Sequence, residues 1–129
     1  MSQLIKILIV EDRHKDTEMA VRELYRAGFD PHWLRVDTEA DYLASLKPDV
    51  DLILADCDLQ QQQFNCLRAL ELLKQGGLEI PFIIVCGSIG VESVVKMMQK
   101  GATNFVLREY IFQLGPVVHS ALKKIEEHT

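Results

Sequence analysis

Four carboxylates stand where the chain's apolar runs end. Glu11 and Asp12 directly follow Leu4–Val10 (LIKILIV), Asp56 closes Val50–Ala55 (VDLILA), and Asp58 comes two residues later. A carboxylate at the end of a buried segment is costly to keep without a partner. If the two runs lie side by side, Glu11, Asp12 and Asp56 gather within a few ångströms. They then repel and raise one another's pKa unless a cation sits among them. Hard oxygen ligands with positions left over for water and a phosphate suit Mg²⁺. A Glu-Asp pair by itself is equally a solvated loop or a helix cap; its placement after a buried run, matched by Asp56 after another, singles it out.

The elements that must position these groups are legible as alternating periodicities. Leu4–Val10, Val50–Ala55, Phe82–Cys86 and Asn104–Leu107 are short runs rich in Ile, Val and Leu, and His32–Val36 reads as a weaker edge strand. Runs apolar on both faces suit a parallel sheet covered on each side. Between them lie helical spacings over Lys15–Ala27, Thr38–Leu46, Leu67–Gln75, Val91–Lys100 and Ile111–Glu127. Gly28, Lys47-Pro48, Gly76-Gly77 and Gly101 supply the stops, and Pro116 is acceptable only in a first turn. Five β-α units with short connections predict an α/β, doubly wound (βα)5 three-layer sandwich with a five-stranded parallel sheet. In such sheets functional groups collect at the carboxyl ends of the strands, here Glu11-Asp12, Asp56, Cys86 and Arg108.

Composition narrows the function classes. The 129 residues fit one domain, with no repeat, no linker and no low-complexity tract beyond Gln60–Gln63. Nineteen acidic against 14 basic residues give a net charge of −5, and the scattered Lys and Arg form no phosphate-backbone footprint, so direct nucleic-acid binding is not expected. Cys57, Cys66 and Cys86 are odd in number and make no Cys-x-x-Cys, which argues for reduced thiols in a cytoplasmic setting. No signal peptide or membrane span is expected. His14, His32, His119 and His128 lack ligand spacing and read as surface residues.

The arrangement resembles the receiver domains of two-component response regulators over essentially the whole chain. Asp12 to Asp56 spans 44 positions, Asp56 to Cys86 spans 30 and Gly101 to Arg108 spans 7, close to the family's separations; KILIVED, DLILAD and GATNFVLRE look like receiver sequence. The resemblance implies the flavodoxin-like strand order 2-1-3-4-5. It also implies that Asp56 accepts a phosphoryl group from a histidine kinase or phosphotransfer protein, and that Glu11, Asp12, Asp56 and the backbone carbonyl of Asp58 hold Mg²⁺. The protein would be regulatory rather than an enzyme. A downstream protein would meet the face formed by the fourth helix, fifth strand and last helix. Met97, Met98, Val91, Val94 and Val95 give that fourth helix more apolar surface than one buried face requires.

The chain departs from the family pattern at the positions expected to switch. Cys86 stands where the family places Ser or Thr at the end of the fourth strand, and a thiol is a weak donor, so the pull on the following loop should be diminished. Ser88 could substitute or could cap the next helix. Arg108 replaces a lysine, keeping charge while changing shape. Phe105 fills the aromatic switch position without a hydroxyl and is expected to pack in the core. Gln60–Gln63 replaces the usual Pro and Gly after Asp56.

Three readings result. The first is a phosphorylatable receiver. The second is a receiver fold acting as a phosphorylation-independent interaction module. The third takes Asp56-Cys57-Asp58 as the Asp-x-Asp of a haloacid-dehalogenase-type phosphatase, whose motif normally lies on the first strand. Such a domain either stands alone or belongs to a longer signalling protein, and a homodimer is compatible with either.

Overall fold

The structure is a computed structural model and describes residues 3–11, 14–56, 64–87 and 91–128. Strands and helices alternate as β1 (Gln3–Val10), α1 (His14–Arg26), β2 (Phe29–Val36), α2 (Glu39–Ser45), β3 (Leu52–Asp56), α3 (Cys66–Gln75), β4 (Phe82–Cys86), α4 (Val91–Gln99) and β5 (Asn104–Leu107). A 3₁₀ segment (Arg108–Gln113) and α5 (Leu114–His128) follow. The strands form one sheet in the order β2-β1-β3-β4-β5, and every adjacent pair is parallel. This is the doubly wound architecture and strand order expected from the sequence.

The sheet separates two cores. Side chains alternate between faces along a strand, so Leu8, Ile53, Ala55 and Ile84 pack under α2, α3 and α4 with Tyr42, Leu73 and Met97. Ile7, Ile9, Leu54 and Ile83 pack on the other face, under α1 and α5, with Leu24, Leu114 and Val118. Every residue of β3 is buried, which is why that strand carries no polar position until Asp56.

Local signals set most of the ends. The Thr38 side chain accepts from the Asp41 backbone N–H at 3.1 Å and caps α2; Asn65 does the same for α3 from Arg68 N–H at 2.9 Å. Gly28 and Gly101 leave α1 and α4 with φ of 95° and 110°, a region that favours glycine. Two boundaries differ from expectation. β2 begins at Phe29 rather than His32, because β2 lies at the sheet edge, where Pro31 costs no ladder hydrogen bond. The last helix begins at Leu114 rather than Ile111, since Arg108–Gln113 winds as a 3₁₀ turn first. Pro116 accordingly falls in the first turn of α5.

Candidate functional site

The strand register brings the expected residues to one edge of the sheet. Val10 is paired with Ala55, so Glu11 and Asp56, one residue beyond each, leave β1 and β3 side by side. Asp56 is paired with Val85, and Cys86 with Leu107, which places Cys86 and Arg108 at the same end of the sheet. Glu11, Asp56 and Arg108 line one cavity together with Met19, Ala20 and Ile111. Asp12, Asp58 and Ser88 lie outside the described residues, as do Cys57 and Gln60–Gln63.

Asp56 is held by charge. Its side chain is 3% exposed, and its Oδ1 accepts from Nη2 of Arg108, whose side chain is 28% exposed. A buried carboxylate has lost its water, and an ion pair offsets that desolvation only with good geometry and direct hydrogen bonding. Arg108 therefore does not project into solvent.

Glu11 is held by neighbours that no sequence motif announces. Its Oε2 accepts from the buried Thr17 hydroxyl of α1 at 3.1 Å, its backbone N–H donates to Val36 O at 3.0 Å, and its carbonyl accepts from Nη1 of Arg35 at 2.9 Å. Thr17 and Arg35 were not among the sequence candidates. The available signals are a hydroxyl six residues after Glu11, in the first turn of the helix that follows, and a cation on the adjoining strand, both too common to single out.

The remaining positions divide. Cys86 is fully buried; burial pushes its thiol up, against a downward pull from Arg108 and a further upward push from Asp56. Phe105 is 40% exposed rather than packed in the core, because its place on the edge strand β5 turns it out of both clusters. On α4, Val94 and Met97 are buried while Val95 is exposed, so part of the surplus apolar surface faces outward. His32 pairs with Asp30 at 3.3 Å, and His119 stacks on Phe29 with its Nε2 3.0 Å from Ala27 O.

The expectation of reduced thiols is corrected at Cys66. Cys66 is disulfide-bonded, its Sγ 3.3 Å from Met97 Sδ, whereas Cys86 is free. A disulfide requires closeness in space rather than a Cys-x-x-Cys spacing, so absence of that motif did not bear on Cys66.

Hard oxygen donors are the right chemistry for Mg²⁺, and Glu11 and Asp56 supply two carboxylates at one edge. Among the described residues no group of three or more His, Cys, Asp or Glu forms a metal cluster, and no helix is long and apolar enough to cross a membrane.

No family model matches the chain. Over 110 residues it is 30% identical to a response regulator NtrX-like protein of Rickettsia typhi, covering 85% of this chain and 23% of that one. It is also 30% identical over 106 residues to the swarming motility regulation protein RssB of Serratia marcescens, covering 82% and 47%. The chain thus spans about a quarter to a half of the length of these curated relatives. Among solved structures, the receiver domain of NtrX from Brucella abortus matches with a TM-score of 0.77 at 23% identity, covering 91% of this chain and 98% of that one. The signal receiver domain of the LuxO repressor protein from Vibrio parahaemolyticus matches with a TM-score of 0.79 at 21% identity, covering 96% and 94%.

Proposed function

Homologous over most of its length to response regulators and folded as their receiver domains are, the chain belongs to the receiver family, and on that premise we propose that Asp56 is its phospho-acceptor. The donor is a histidine kinase or a phosphotransfer protein, and the modified domain changes its affinity for a downstream protein through the α4–β5–α5 face. A cytoplasmic location fits that role. The observation that carries the reading is the Asp56 carboxylate: buried at the end of a central strand, ion-paired with Arg108 and sharing a cavity with Glu11.

The chemistry follows from those residues. A carboxylate oxygen of Asp56 attacks phosphorus as the bond to the leaving group breaks, giving an acyl phosphate. Glu11 and Asp56, with Asp12 and the Asp58 backbone carbonyl, are the ligands assigned to Mg²⁺, which when bound offsets charge on the transferring phosphoryl group. Thr17 and Arg35 keep Glu11 in place. Arg108 neutralises Asp56 at rest and is within reach of an oxygen on the acyl phosphate afterwards. Cys86, Ser88 and Phe105 stand where the family places its switch residues.

One observation favours the second reading, an interaction module that works without phosphorylation: a fully buried thiol stands where a hydroxyl donor would serve the switch. The phosphatase alternative has less support, since its Asp-x-Asp belongs on the first strand and Asp56 ends β3. Incubation with Mg²⁺ and acetyl phosphate followed by intact-mass measurement separates these. A gain of one phosphate that disappears in Asp56→Asn supports the receiver that is phosphorylated. A folded protein with no gain and no phosphatase turnover leaves the module.

A further inference from the structure

Arg108 crosses the sheet edge to reach its partner. Asp56 is on β3, Arg108 follows β5, and the end of β4 lies between them. Neighbouring strands are about 4.8 Å apart, so this side chain has to pass over a whole strand end. Nη2 meets Asp56 Oδ1, while Nη1 lies beside Gly87, 3.7 Å from where a Cβ on that residue would stand. One planar group therefore spans from the acceptor to the space beside Gly87, the residue that leaves β4.

Cys86, beside them, is poorly suited to the same task. Burial favours its neutral thiol, and a neutral thiol is a weak donor. The guanidinium carries five N–H groups in a fixed fork, so displacing one nitrogen displaces the other. Gly87 leaves no side chain between the fork and the backbone.

Resting on the receiver reading above, we propose that Arg108 is a positioning residue that transmits the state of Asp56 to Gly87, where the chain leaves β4, and that the Cys86 thiol does not carry this coupling. Neutralising or modifying Asp56 changes its bond to Nη2, and the rigid fork shifts Nη1 over Gly87. Lysine, a point charge on a flexible stem, keeps the attraction and loses the linkage.

The test is a cycle of variants read by amide NMR, with peak dispersion confirming the fold of each. Asp56→Asn removes the charge without phosphorylation, so the cycle remains informative even if acetyl phosphate fails to modify the protein and the receiver reading falls. The expected result is that Asp56→Asn shifts the amides of Gly87 and of α4 in the parent and in Cys86→Ala, and that the shift is lost in Arg108→Lys. If Arg108→Lys does not fold, Arg108→Gln serves as the replacement background. Persistence of the full shift without the arginine, or its loss in Cys86→Ala alone, overturns the proposal.

Discussion

Nη2 of Arg108 donates to Oδ1 of Asp56 across the end of β4, joining residues 52 positions apart in the chain. Removing one member of a buried ion pair leaves the other charge without compensation, which is costlier than losing the attraction alone. Because Arg108 is 28% exposed, water offsets part of that cost. Arg108→Gln is expected to lower stability by about 2 kcal/mol in urea unfolding at neutral pH. The double variant with Asp56→Asn should recover most of it, and a double variant as unstable as the sum of the singles would show that the pair is not coupled.

Thr17 orients Glu11 from inside α1. Thr17→Val keeps the shape and removes the donor, so a buried carboxylate oxygen loses one hydrogen bond. A cost of about 1–2 kcal/mol is expected. Thr17→Ser should stay close to the parent, and equal losses in both variants would assign the effect to packing.

Gly115 in α5 faces Ala27 so closely that an added Cβ would stand 2.5 Å from the alanine Cβ. In an open helix, glycine to alanine stabilises by about 0.5–1 kcal/mol. Here overpacking should reverse the sign, with Gly115→Ala costing about 1–3 kcal/mol in thermal or urea unfolding. Ala27→Gly in the same chain should restore part of it.

Tyr42 is fully buried, and its hydroxyl donates to Ala69 O at 2.8 Å. Tyr42→Phe should cost about 1 kcal/mol at neutral pH. Burial also holds the phenol above its ordinary value of 10.0, so the folded state keeps its proton where the unfolded state loses it. Stability from this group is full below pH 10 and declines as pH rises beyond it. The urea midpoint should therefore fall more steeply above that pH in the parent than in Tyr42→Phe, and parallel curves would remove Tyr42 as the cause.

The interior strands were legible because β3 and β4 are apolar on both faces, a pattern that helices on each side require. β2 was less so: Asp30 and Pro31 read as punctuation, and only an edge position tolerates them inside a strand. Ile111 and Phe112 concealed the 3₁₀ turn, since their apolar spacing also suits the start of a helix. At the site, carboxylates after two buried runs pointed to Glu11 and Asp56. The edge on which Arg108 lies was readable from the strand order, but its ion pair with Asp56 was not, because a long side chain reaches a neighbour two strands away that nothing local specifies. Arg35 was invisible for a related reason: its target is a backbone carbonyl, which every residue has.

The glycine-on-alanine contact between α5 and the end of α1 has a mechanical corollary. Two helices packed that closely resist sliding past one another, so they and the sheet face beneath them should act as a chassis. The opposite face is tiled by three shorter helices of 7, 10 and 9 residues, α2, α3 and α4, the first two tied by the Tyr42–Ala69 hydrogen bond and the Arg68–Glu39 ion pair. Deformation imposed at the acidic edge should thus be absorbed on that tiled side, leaving the α1–α5 seam as the fixed frame against which the movement is registered.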